Sequence, residues 1–125
     1  MQMKSQKPYL IRALYEWCVD NDCTPHLMTF VDTNTVVPQQ FVKNNQIVLN
    51  IAFNATKDLL IDNDWITFQA TFGGVVQDIA IPIANVLGIF AKESSQGMHF
   101  ELENYNPTPP SDPSPSSTGG LKLVK

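Results

Sequence analysis

The chain has 125 residues, 43% hydrophobic and 16% charged, with two cysteines and a formal net charge of −4 at pH 7. That length suits one domain with a real core plus a tail and is short for two domains. Residues 8–106 carry eleven acidic and four basic side chains, a balance of −7, and an acidic body repels phosphate, which counts against nucleic acid and anionic membranes as partners.

The N-terminus shows neither a signal peptide's apolar run nor a stretch long enough to cross a bilayer, so a soluble, cytoplasmic protein without a membrane partner is expected. The segment "PYLIRALYEWCVDND" reads as a helix, with Pro8 in the first turn, where its missing N–H costs nothing. Leu10, Ala13, Leu14, Trp17 and Cys18 recur at helical spacing and are expected to face the core. Ile11, Tyr15 and Val19 form a second apolar stripe that wants another surface. The expectation is a homodimer through this helix, since isologous dimers are the commonest oligomers; a domain wrapped around both faces is the alternative.

Beyond "CTPH" the period becomes strand-like. "HLMTFVD" and "QIVLNIAF" are rich in β-branched and apolar residues, whereas "VVPQQFV" between them is short and Pro-broken, at most an edge strand. "NATKDLLIDND" reads as a polar connection with Leu59, Leu60 and Ile61 tucked inward. "WITFQATF" alternates strictly, and the pair Gly73-Gly74 joins it to "VVQDIAIPI", a tight hairpin whose turn needs positive φ. Pro82 ends that strand or places it at an edge. "ANVLGIFAKE" and "GMHFELE" flank Ser94-Ser95-Gln96-Gly97, a second hairpin with Gly expected at its left-handed position.

The fold class expected is mainly β (α+β): one N-terminal helix, then a small curled antiparallel barrel or sandwich. Residues 107–120 are Pro, Ser, Thr, Asp and Gly and cannot bury enough apolar surface to offset their ordering entropy, so a disordered linker is expected there. The chain then finishes on an apolar and basic tip, Leu121, Lys122, Leu123, Val124 and Lys125. The organisation expected is a body over 1–106, a linker over 107–120 and a tip over 121–125.

Catalytic and metal signatures are missing. Serine occurs in the body beyond the helix only at Ser94 and Ser95, with no nucleophile elbow and no phosphate loop. Asp62 and Asp64 in "IDND" read as turn formers rather than a general acid/base pair. Cys18 and Cys23 at C-x4-C spacing, with His26 and His99 remote, are not a zinc signature, so no metal and no cofactor is expected. A small barrel that binds RNA or sits on the ribosome is the alternative class, but its strands would need basic residues among the aromatics. Trp65, Phe68 and Phe72 have almost no Lys or Arg beside them, which suits an extended peptide better than a nucleic acid.

Taken in order, "KPYLIRALYEWCVDNDCTPHL", "NQIVLNIA", "FQATFGGV", "IPIANVLGIFAKE" and "MHFELE" resemble the stringent starvation protein B family, adaptors of the ClpXP protease, over Lys7 to Glu103. The resemblance implies an Sm-like β fold that dimerises through the N-terminal helix (Leu10, Ile11, Leu14, Tyr15, Cys18 and Val19 here) and captures the ssrA degradation tag on substrate proteins. It implies a tag groove bordered by Ala70, Thr71, Phe72, Gly73, Gly74, Val75 and Val76 on the hairpin, with Ala52, Phe53, Asn54, Ala55 and Thr56 on the other wall and Met98 and Phe100 closing it. Thr71 stands where the family is expected to carry a basic residue. It further implies that Leu121–Lys125 docks on the zinc-binding N-terminal domain of ClpX, so that delivery is a tethering effect with no bond chemistry in the adaptor.

Overall fold

In a computed structural model the described residues are 3–103; the expected linker and tip lie outside them. Helix α1 spans Lys7–Asp20 with Pro8 in its first turn. Its C-terminus closes in a Schellman motif: Cys23 N–H donates to the Cys18 carbonyl (2.8 Å) and Asp22 N–H to the Val19 carbonyl (3.1 Å), with Asp22 left-handed at φ 56°. Asp occupies the position that most helices give to Gly.

The buried face of α1 differs from the expected one. Lys7, Pro8, Ile11 and Cys18 are buried, Leu14 and Tyr15 pack partly against the core, and Ala13 and Trp17 face outward. Ile11 and Cys18 are fully buried within their own chain and have no surface to offer a second copy, so they are core residues and not interface residues. Two cations set this phase. The Lys7 ammonium enters the fold and donates to the carbonyls of Ala84 (3.2 Å), Val86 (3.0 Å) and Glu101 (2.7 Å). Arg12 donates to the Ile61 carbonyl and the Asn63 side chain, both at 3.0 Å, which turns the helix through a fraction of a turn from the expected register.

Among the described residues seven antiparallel strands follow: β1 Pro25–Phe30, β2 Gln46–Asn50, β3 Lys57–Ile61, β4 Trp65–Phe72, β5 Val75–Pro82, β6 Val86–Ala91 and β7 Gly97–His99. They form a four-stranded sheet in the order β2-β1-β6-β7 and a three-stranded sheet in the order β3-β4-β5. Alternation in β1, β2 and β4 sends Leu27, Ile47, Leu49, Ile66 and Phe68 inward, where they meet Ile79, Ile81 and Ile89 beneath Ile11 in one core shared by both sheets. At roughly 2 kcal/mol for each fully buried aliphatic side chain, this shared core is the main stabilising term of the body.

Three local expectations change. "NATKDLLIDND" is not a connection but supplies β3, with Leu60 56% exposed instead of tucked in. "VVPQQFV" is no strand: Val36 makes a single bridge to Ala80 and Gln39–Phe41 forms a 3-10 turn. In the β6–β7 turn the left-handed residue is Ser95 (φ 61°), while Gly97 is required because a Cβ there would collide with the Ile89 carbonyl and with Phe90. Pro82 closes β5, a strand with β4 on one side and, among the described residues, only the Val36 bridge on the other, as its missing N–H demands.

Candidate functional site

The β4–β5 hairpin turns on Gly73 (φ 57°) and Gly74 (φ 83°), two consecutive positive φ angles that match a two-residue turn of the primed class. Register from Trp65↔Pro82 to Phe72↔Val75 is unbroken, so the side chains beside the turn are rigidly placed. Val75 and Val76 emerge 57% and 64% exposed. Phe72, the register partner of Val75 and so on the same face as it, packs on Phe41, ring centroids 5.5 Å apart.

The second segment leaves β2 at Asn50. Asn50 Oδ1 accepts the Ala52 N–H (2.9 Å), and the Ala52 carbonyl accepts both the Ala55 N–H (2.9 Å) and the Thr56 hydroxyl (3.0 Å). These bonds wind Phe53–Ala55 into a 3-10 turn that feeds directly into β3. Lys57 then pairs with Gln69 on β4.

The result is an open cleft of about 390 Å³ lined by Asn54, Ala55, Thr56, Lys57, Gln69, Ala70, Thr71 and Val76. Six of these eight belong to the set expected from sequence. Phe53 is 85% exposed and lines a neighbouring cleft of about 500 Å³ with Arg12, Tyr15, Glu16, Thr56, Asp58, Leu59 and Ile61, so the 3-10 turn is a ridge between two depressions that share Thr56. Met98 and Phe100 do not line the first cleft. Met98 is on β7 at the edge of the other sheet, and Phe100 packs against the core with the Lys7 ammonium 5.8 Å from its ring.

Lys57 and Gln69 were not among the expected residues. Nothing in "NATKDLLIDND" announces a strand, because β3 contains a left-handed Asp58 (φ 57°) and its pairing with β4 slips between Lys57 and Leu60. Without that strand Lys57 has no partner in register. The period-2 pattern of "WITFQATF" was the available signal for Gln69, which shares the outward face with Thr67 and Thr71.

The chemistry offered is that of recognition. The lining combines one amide loop residue, hydroxyls, a glutamine, one lysine and apolar Ala and Val. Asn54 is exposed and carries two donors and an acceptor, the complement of a peptide main chain. Among the described residues no group of three or more His, Cys, Asp or Glu could hold a metal ion, and no helix is long and apolar enough to cross a membrane. The titratable groups with displaced pKa values lie outside this cleft. Burial pushes the Cys18 thiol and the Tyr15 phenol up, and hydrogen bonds from Thr24 hold the Glu93 carboxyl down.

The model of the family described as stringent starvation protein B matches residues 5–120, a span that includes both walls of the cleft. The chain is also 44% identical over 108 residues to the stringent starvation protein B homolog of Haemophilus influenzae, covering 82% of this chain and 71% of that protein.

Proposed function

The chain belongs to the stringent starvation protein B family, and from that premise we propose that it is a non-catalytic adaptor of the cytoplasm. In this reading it captures ssrA-tagged polypeptides in the cleft between the Asn54–Lys57 segment and β4, and delivers them to the ClpX unfoldase for degradation by ClpXP. The observation that carries the proposal is the cleft itself: two segments remote in sequence meet in an open groove with an exposed amide, an exposed valine and an outer β5 edge whose partner among the described residues is the Val36 bridge. An extended peptide needs those features: pockets for alternate side chains and main-chain groups free to bond.

The outward face of α1 supports a dimer. Trp17, 37% exposed, adjoins half-buried Leu10 and Leu14 on one flank of the helix, Val19, 47% exposed, adjoins half-buried Tyr15 on the other, and Tyr9, 49% exposed, lies between the two flanks. The docking peptide for the zinc-binding domain of ClpX is Leu121–Lys125, joined to the body by 107–120. The acidic body and a cleft with a single cation favour this reading over RNA binding.

Isothermal titration of a synthetic ssrA-tag peptide into the full-length chain tests it. Saturable binding is expected, and Ala55→Trp, which fills the cleft from its half-buried wall, is expected to weaken it at least tenfold with thermal unfolding unchanged. A titration without binding heat, repeated as a fluorescence measurement with the same result, moves the function elsewhere.

A further inference from the structure

We propose that Lys57 makes the cleft selective for a peptide with a carboxylate side chain, seated on the β3 side of the sheet. This inference rests on the adaptor reading and adds the chemistry of the peptide accepted.

Lys57 is exposed and is the only charged residue among the described residues that line the cleft. The carboxylate next to it in sequence does not serve it. Asp58 takes a left-handed conformation (φ 57°) where the ladder to β4 slips, and Lys57 lines one cleft while Asp58 lines the other, with Arg12 and Glu16. Two consecutive opposite charges thus serve two surfaces.

Across the sheet, Lys57 pairs with Gln69 and Gln69 pairs with Asp78, a row of cation, amide and anion. The Gln69 amide donates to Asp78 Oδ1 at 2.9 Å. Because a carboxylate only accepts, the orientation of that amide is unambiguous, and Gln69 Oε1 is left as an acceptor. Asp78 sits two strands from Lys57, roughly 10 Å away at the usual strand spacing. That is about one Debye length at 0.1 M salt, so Asp78 does little to neutralise Lys57 but does repel an anion from the β5 side. The row is polarised, and a bound peptide has its charge order and direction dictated by it.

The rest of the body sharpens the choice. With a balance of −7 over residues 8–106, the body as a whole repels carboxylates, so a cation in the cleft favours placing one there. The outcome is specificity more than affinity, as is usual for charges in grooves.

The test uses fluorescence anisotropy on the full-length protein with two labelled peptides, both C-terminally amidated so that only side chains differ: the ssrA tag, and the same peptide with every Asp and Glu replaced by Asn and Gln. For the acidic peptide, Lys57→Gln is expected to weaken binding about threefold, in line with an exposed ion pair, and Lys57→Glu more than that. For the amide peptide Lys57→Gln is expected to change nothing. Equal affinities of wild type and both variants for the acidic peptide overturn the inference while leaving the adaptor reading in place. So does an equal loss with both peptides, which would mean that Lys57 supports the fold of the cleft instead of reading charge. A wild-type protein that binds neither peptide overturns the adaptor reading and this inference together.

Discussion

Cys18 and Cys23 lie five residues apart yet occupy opposite situations. Cys18 is fully buried, and desolvation, with Cys23 and Glu93 adding to it, pushes its thiol above the ordinary value. Cys23 is half-exposed and its Sγ reaches only the Asn21 carbonyl at 3.5 Å. Alkylation with iodoacetamide under native conditions is therefore expected to modify one thiol, Cys23, before Cys18, because reaction requires an accessible thiolate; mass spectrometry of the labelled peptides checks the order. Glu93 supplies a pH signature. Its carboxylate accepts the Thr24 N–H (2.7 Å) and the Thr24 hydroxyl (2.6 Å), and these bonds hold its pKa below the ordinary 4.5. A depressed carboxylate contributes stability that is present above about pH 4.5 and is lost as pH falls through the folded value. Glu93→Gln is accordingly expected to lower the unfolding temperature slightly near neutrality and to converge on wild type as pH falls below about 4.5, which flattens the acid limb. An unaltered acid limb in that variant would mean that the Thr24 contact does not persist in solution.

On the scale of elements, helix α1 shows why part of the fold could be read from sequence and part could not. Its existence, its start near Pro8 and its amphipathic character were legible, because helical spacing and proline chemistry are local. Its phase was not, since a lysine at the start of a helix reads as solvent-facing and only the three carbonyls of Ala84, Val86 and Glu101 make Lys7 a buried residue. Strand β4 and the Gly73-Gly74 turn were legible for the same local reasons. β3 was hidden by its polar residues and by the left-handed Asp58, and with it went Lys57. The corrected phase yields a paired prediction. Ile11→Asp places a charge in the shared core and is expected to cost at least about 3 kcal/mol, enough to unfold much of the population. Val19→Asp, on an exposed flank of α1, is expected to leave thermal unfolding within about 0.5 kcal/mol of wild type and to dissociate the proposed dimer in sedimentation velocity. A wild type that sediments as a monomer at micromolar concentration removes the dimer from the account.

At the scale of the whole molecule, the proposed function gives the body and the tip separate tasks. Two sheets and one helix build a rigid frame around a shared core, and the cleft walls are a hairpin with unbroken register and a hydrogen-bonded 3-10 turn, so the site is preorganised. Such a site would suit the proposed capture of a peptide, which needs placed walls and no bond chemistry. Six of the eight residues that line the cleft were visible in the sequence as segments; their meeting depended on the β3–β4 pairing, a tertiary fact. Delivery, in the proposed function, falls to Leu121–Lys125, which lie outside the described residues, and a docking peptide there would act by raising the effective concentration of cargo at the unfoldase.

The central claim is tested most directly by the rate at which ClpXP degrades an ssrA-tagged substrate held well below its KM, measured without the adaptor, with the full-length chain, and with a chain lacking Leu121–Lys125. The account predicts faster degradation with the full chain, no acceleration with the truncated chain although it still binds the tag peptide, and a difference that shrinks as substrate is raised. Acceleration by the truncated chain at low substrate, or none by the full chain, would contradict it.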